Sequence, residues 1–191
     1  MIIVTGTPGV GKSSVSKLLA LRIGAKLISV GDLVRNEGLY IGMDRKRDTI
    51  VADSKKVSRR VERIVACSAG DVIVEGHYAM DVVSPENVRL VFVLRRSPEE
   101  LREALKRRSY RVEKIRENLA AEILDVCLYD AVKICGLNKV CEINVTARRA
   151  EDVVEEMLLV LYGKKECKVG IVDWLGKLDS EGKLDEYLRE I

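Results

Sequence analysis

The first fourteen residues, Met-Ile-Ile-Val-Thr-Gly-Thr-Pro-Gly-Val-Gly-Lys-Ser-Ser, constrain this chain more than any other stretch. Gly6, Gly11, Lys12 and Ser13 match the spacing G-x-x-x-x-G-K-[ST]. Ile2, Ile3 and Val4 ahead of it read as a buried strand, and Val15, Leu18, Leu19 and Ile23 behind it as one helix face. The spacing has a physical cause. Gly6, Gly9 and Gly11 let the backbone curl until successive N–H groups converge on phosphate oxygens. The following helix aims its positive end at the same point. Lys12 adds a mobile charge for the outer phosphates, and the Ser13 hydroxyl stands where Mg²⁺ is held. Such a loop binds a nucleoside triphosphate.

The rest of the 191 residues carries the pattern of one α/β domain with a small appendage. Lys26–Ser29 reads as a short strand, after which Val30-Gly31-Asp32 caps a helix through Leu33, Val34 and Arg35. Residues 38–52 are polar and glycine-containing, with no clear period. Ser54 can cap a helix to about Ala69, with Val57, Val61, Ile64 and Val65 on one face. Residues 71–75 and 89–94 are continuous apolar runs, the mark of strands buried on both faces. Ser97-Pro98-Glu99-Glu100 opens a helix with a capping box. After a break near Ser109, one helix is expected from Val112 to about Cys135, then a strand over 140–145 and a helix from Ala150 to Tyr162. Strands alternating with helices mean a parallel, doubly wound sheet. The tail, 163–191, carries two short amphipathic helices, with apolar positions at Ile171, Trp174, Leu175 and Leu178 and then at Leu184, Tyr187, Leu188 and Ile191. It either packs on the core or serves as a docking arm, since the only Trp sits there.

Composition excludes several classes. A net charge of +3 implies no global pull toward nucleic acid. No apolar run approaches the roughly 18 residues of a membrane span, and the N-terminus reads as a strand, not a secretion signal. Five cysteines without a C-x-x-C pair look like reduced core residues, which points to a cytoplasmic or nuclear protein.

A phosphate loop alone does not name a reaction. No guanine-reading motif is visible, which disfavours a GTPase. Arg35 follows the second strand, where its guanidinium fork could grip an acceptor phosphate, or it is an ordinary exposed helix residue. Residues 95–116 hold nine basic residues against four acidic, clustered about the break between two helices. Three readings stay open: a hinged lid over the phosphates, a solvated helix face with pairs such as Glu99–Arg102 and Glu103–Arg107, or an RNA surface. The third strand ends at Glu75, in the place where Mg²⁺ or its water shell is held. His77, the only histidine, follows at the strand's mouth. It could orient a water or acceptor, act as a base near neutral pH, or be structural.

These motifs together resemble the adenylate kinase isoenzyme 6 family. The resemblance rests on the Gly-Thr-Pro-Gly-Val-Gly-Lys loop, Val30-Gly31-Asp32-Leu33, Leu39-Tyr40-x-Gly42, Val72-Ile73-Val74-Glu75-x-His77, Phe92-Val93-Leu94-Arg95, and Arg108-x-Tyr110 followed by Glu117-Asn118-Leu119. It runs from residue 1 to about 161 and stops before the tail. It implies a nucleoside-monophosphate-kinase fold with strand order 2-3-1-4-5, and broad-specificity adenylate kinase activity combined with ATPase activity. It also implies late small-ribosomal-subunit maturation through transient binding of a ribosomal platform protein. Direct nucleic-acid binding is disfavoured. By position, ATP would contact Gly9, Val10, Gly11, Lys12, Ser13, Ser14 and Arg108, with Mg²⁺ on Ser13 and Glu75. The monophosphate region would be 29–52, with Gly31, Asp32 and Arg35, and the lid 108–118 within a core of 1–162. Lys12, Glu75, His77 and Arg108 would carry catalysis, His77 being linked to ATP hydrolysis. The chain departs from the family in Glu75 where Asp is common, in Tyr78 after the histidine, and in Ser13-Ser14 for a Thr pair.

Overall fold

Parallel pairing of short apolar strands organises the chain. The computed structural model describes residues 1–44 and 49–188. In order these form β1 (Ile2–Thr5), α1 (Lys12–Ile23), β2 (Lys26–Ser29), α2 (Val30–Asn36), β3 (Tyr40–Asp44), β4 (Thr49–Ala52), α3 (Ser54–Ala66) and β5 (Val72–Glu75). Then follow β6 (Leu90–Arg95), α4 (Pro98–Arg107), α5 (Val112–Ile123), α6 (Val126–Cys135), β7 (Val140–Asn144), α7 (Ala150–Leu161), α8 (Trp174–Ser180) and α9 (Leu184–Leu188). Five strands form one parallel sheet in the order β2-β5-β1-β6-β7. With the β3–β4 hairpin counted apart, this is the expected 2-3-1-4-5 order.

β1, β5, β6 and β7 bury both faces, so two cores form. Ile2, Val4, Phe92, Leu94 and Ile143 face α1, α4, α5 and α7, while Ile3, Val74, Val91 and Val93 face α2, α3 and α6. The tail joins the first core: Trp174, Leu178 and Tyr187 are all buried there. Of the two readings of the tail, packing on the core is the one formed.

Several local expectations are corrected. Residues 38–52 contain the antiparallel hairpin β3–β4, with a bulge between Tyr40 and Gly42 that hides its period. The expected monophosphate region also covers 45–48, which lie outside the described residues. Ser29, not Asp32, caps α2: its Oγ accepts from Asp32 N. Asp53, one residue before Ser54, caps α3 by accepting from Lys56 N at 3.1 Å. Ser97 caps α4, but the Glu100 carboxylate leaves the capping box for Arg96 Nε and Ala147 N, both at 2.9 Å.

The single helix expected from Val112 to Cys135 is two. Asp125 takes a left-handed φ of 57°, and the buried Arg95 guanidinium bonds both the Glu122 carbonyl (2.9 Å) and the Asp125 carboxylate. Arg95 therefore supplies the partner that a freed helix-end carbonyl needs. The same burial, with 1% of the side chain exposed, removes Arg95 from the basic surface cluster.

Candidate functional site

The carboxyl ends of β1, β5 and β2 place the candidate residues on one edge of the sheet. Register pairs Val4 with Glu75 and Ser29 with Glu75, so the phosphate loop, Glu75 and the start of α2 lie side by side. Gly6 is where glycine is required: its φ is +136°, and a Cβ would stand 2.4 Å from the Leu94 carbonyl oxygen. Gly9 is backed by Leu101 of α4, whose Cδ1 would lie 2.8 Å from a Cβ there. The loop is thus shaped by β6 and α4 as much as by its own sequence.

Lys12 is buried, and its ammonium donates to the carbonyls of Gly6 (2.7 Å) and Thr7 (3.0 Å). Burial pushes its pKa down to about 8, and the nearby Arg108 charge works the same way, while Glu75 and Glu122 partly offset them. Ser13 and Ser14, in the first turn of α1, are exposed. Ser13 Oγ donates to Glu75 Oε1 at 3.3 Å. Serine hydroxyl and carboxylate are the hard oxygen donors Mg²⁺ takes, and one or two protein oxygens suffice when phosphates and waters complete the shell. The residues fit the ion.

His77 opens to solvent at the mouth of β5, yet sits in a protein recess beside Tyr78, the ring centroids 3.6 Å apart. Desolvation first, then the positive charges of Lys12 and Lys114, lower its pKa to about 4. At neutral pH it is a neutral imidazole. That weakens the base reading and leaves it able to accept or donate a single hydrogen bond. Arg108 caps the end of α4 as an exposed residue, its charge felt at Lys12. The segment 108–118, expected to form a lid, bends at Ser109, φ 55°, between α4 and α5.

On α2, Arg35 folds back: its Nη2 donates to Asp32 Oδ1 at 2.5 Å, and its guanidinium lies over Gly31. That hydrogen bond holds the Asp32 carboxyl below the usual carboxylate range. Gly31, Asp32 and Arg35 are thus together on one exposed turn beside Glu75.

The structure adds residues that no sequence motif singles out. Lys114 Nζ reaches from α5 to Thr49 Oγ1 of the hairpin at 3.2 Å. A cleft of ≈ 560 Å³ opens between α4 and the turn before α7, lined by Arg96, Arg107, Arg148 and Arg149 together with Glu99, Glu100, Glu103 and Ala147. Arg96 Nη1 donates to the Gly9 carbonyl at 3.4 Å, so the cleft borders the phosphate loop. Only the arginines near 96–107 are visible in the sequence as a basic cluster. Ala147, at φ 54°, carries no motif. No described helix is long and apolar enough to cross a membrane.

A phosphate loop at the edge of a 2-3-1-4-5 sheet, with a serine–carboxylate pair at its foot, defines a phosphate-loop phosphotransferase. A family model described as "AAA domain" matches residues 2–125. Archaeal proteins named "Putative adenylate kinase" match nearly throughout: that of Methanocaldococcus jannaschii is 38% identical over 92% of this chain and 93% of its own. That of Thermococcus onnurineus is 38% identical over 98% and 97%, and that of Archaeoglobus fulgidus 36% over 100% and 99%. The chain belongs to this family of archaeal proteins. The likeness extends through the tail, not only to residue 161 as the motifs suggested. Among solved structures, a gluconokinase from Sinorhizobium meliloti shares the fold at TM-score 0.54, with 20% identity over 85% of this chain and 91% of that one. A shikimate kinase from Bacteroides thetaiotaomicron does so at 0.53, with 18% identity over 84% and 97%.

Proposed function

We propose that the protein transfers the γ-phosphoryl group of ATP to a nucleoside monophosphate, ATP + AMP ⇌ 2 ADP, without a covalent enzyme intermediate. The observation that carries this is Lys12, a buried ammonium held by two neutral carbonyls and placed to turn toward a polyphosphate. The name borne by the archaeal relatives supports the acceptor. The reading assigns ATP to Gly9, Val10, Gly11, Lys12, Ser13 and Ser14, its nucleoside to the cleft beside Arg96, and the acceptor phosphate to Arg35 with Gly31 and Asp32. The monophosphate would bind between α2 and the hairpin β3–β4, whose Tyr40, Ile41 and Met43 present apolar surface.

Ser13 and Glu75 would hold Mg²⁺, which supplies neutralisation of charge on the phosphate oxygens. Lys12 shifts from its carbonyls to the outer phosphates, and Arg108 closes from the lid over the transferring group. Arg35 exchanges the Asp32 carboxylate for the acceptor phosphate, whose bidentate geometry its fork matches. Neutral His77 orients a water, so hydrolysis competes with transfer when no acceptor is bound. An acceptor screen with γ-labelled ATP tests the reading. Label should pass to nucleoside monophosphates; label passing only to a sugar or a hydroxy acid would overturn it.

A second reading is favoured by the openness of His77: an ATPase whose nucleotide state switches its binding to a small-subunit ribosomal platform protein. That partner is supported by the family resemblance alone. Pull-downs with ATP and with ADP decide it, and equal affinity would defeat the switch.

A further inference from the structure

The loop's second residue is held from below by a carboxylate that also holds the tail. Thr7 Oγ1 donates to Glu122 Oε2 at 2.6 Å. The other oxygen, Oε1, accepts from Arg95 Nε (2.9 Å), from the backbone N–H of Arg96 (3.0 Å) and from Trp174 Nε1 (3.3 Å). Glu122 lies in α5 and its side chain is 1% exposed. A second fully buried carboxylate, Glu142, shares the same guanidinium at 2.7 Å and accepts from Ile171 N at 2.8 Å. Its own N–H donates to Lys168 O at 2.9 Å.

Two buried carboxylates thus meet one buried guanidinium, with the half-exposed Asp125 at its outer edge. Their excess negative charge is stabilised by neutral donors: the Thr7 hydroxyl from the loop, the Trp174 indole and Ile171 amide from the tail. A buried carboxylate needs each of these bonds, because water cannot replace a lost one. Removing the indole donor therefore throws more of the charge onto Thr7. A second route runs in parallel. Arg102 of α4 stacks 3.9 Å over the Tyr187 ring and pairs with Glu186 at 2.6 Å, and the neighbouring Leu101 and Leu105 back Gly9.

We infer that Glu122 is a positioning residue for the phosphate loop, and that through Trp174 the C-terminal segment 168–188 sets the loop's affinity for nucleotide. This rests on nucleotide binding at the loop, as proposed above, but not on the identity of the acceptor. The full chain tests it with Trp174→Phe, which keeps an aromatic ring and deletes the N–H, with Thr7→Val, and with the double variant. Each single change should weaken ATP binding about 10-fold, the scale of one charge-assisted hydrogen bond. It should raise KM with kcat within about 2-fold, since the change acts on the set of the loop backbone and leaves Lys12 and Ser13 in place. The double variant should lose no more than the weaker single variant, because both act through one carboxylate. Trp174, the only tryptophan, supplies the spectroscopic readout. Its emission should change on ATP titration in the wild type and stay constant in Thr7→Val at saturating ATP, occupancy being measured independently.

Wild-type affinity in Trp174→Phe, or additive losses in the double variant, would overturn the inference while leaving nucleotide binding intact. A wild type that binds no ATP would overturn both. Should Trp174→Phe fail to fold, the emission comparison between wild type and Thr7→Val decides: a change that persists in Thr7→Val rejects the coupling.

Discussion

Ser13 Oγ and Glu75 Oε1 stand 3.3 Å apart although 62 residues separate them, the hydroxyl from the first turn of α1 and the carboxylate from the end of β5. The contact exists because β1 and β5 are adjacent and in register, Val4 opposite Glu75. On the proposed reading, a carboxylate one strand from the phosphate loop would be reached by the ion and its waters, not by the substrate alone. Replacing Glu75 with Gln keeps the shape and removes the charge. Turnover should then require about 10–100-fold more Mg²⁺ for half-saturation, the usual cost of disturbing a metal's oxygen partners. A magnesium titration at fixed ATP measures this. An unchanged half-saturation point would take Glu75 out of the metal's surroundings.

Lys12 has a pKa near 8 in the free protein because burial disfavours its charge. Between that value and the ordinary 10.5, the folded chain holds fewer protons than the unfolded one. This group therefore makes stability rise with pH across that window, and its charge at neutral pH is a cost. A polyphosphate beside it restores the ordinary preference for the ammonium. At pH 8, where the free lysine is about half protonated, ATP binding should take up as much as roughly half a proton. Calorimetry in two buffers of different ionisation enthalpy reads the uptake directly, and zero uptake at pH 8 would contradict the assignment. Lys12→Ala should lower phosphoryl transfer about 10²–10³-fold; near wild-type turnover would remove Lys12 from the chemistry.

The parts of the fold that a local pattern encodes are legible in the sequence. The loop, the buried strands and most helices follow from hydrophobic period and from residue types with fixed local geometry. Elements defined by distant partners are not. The hairpin at Tyr40–Ala52 has a bulge where an alternation should be, and no core face to impose one. The break at Asp125 is made by Arg95, 30 residues away, which reads as one more cation in a basic cluster. Glu122 looks like an ordinary helix glutamate, because nothing in its neighbours announces that Thr7 and Trp174 converge on it. The same holds for the site. Lys12, Ser13 and Glu75 are readable from motif and strand end, whereas Lys114 and the Arg148–Arg149 rim of the cleft depend on which loops the topology brings together.

His77, with its pKa lowered to about 4, is neutral from about pH 5 upward. Between 4 and the ordinary 6.5 the unfolded chain binds the extra proton. The stability this histidine contributes is therefore fully present above 6.5 and lost as pH falls through 4. Hydrolysis should accordingly show no protonation limb near pH 6.5 that belongs to His77. His77→Ala should lower hydrolysis about 10-fold, the scale of one orienting hydrogen bond, and lower transfer to a nucleoside monophosphate less. His77→Asn, which can hydrogen-bond but not titrate, should recover part of the hydrolysis. Equal loss of both activities in His77→Ala, or no rescue by Asn, would end the orienting role.

Arg95 lies behind the phosphate loop, at the carboxyl end of β6 and away from solvent. Its guanidinium meets Glu122 at 2.9 Å and Glu142 at 2.7 Å, caps the Glu122 carbonyl and reaches Asp125. Buried ion pairs contribute little net stability over a well-packed apolar cluster, but removing one partner leaves an uncompensated charge. Here Arg95→Leu would strand two buried carboxylates and unbind the end of α5. Denaturant unfolding should show a loss of about 3–5 kcal/mol. A matched replacement of Arg95, Glu122 and Glu142 by apolar residues should lose less stability than Arg95→Leu alone, while still weakening nucleotide binding, since Thr7 then has no acceptor beneath it. If Arg95→Leu cost under about 1 kcal/mol, the carboxylates would have to be solvated or protonated in the folded chain, and the charge-sharing between loop, sheet and tail would be wrong.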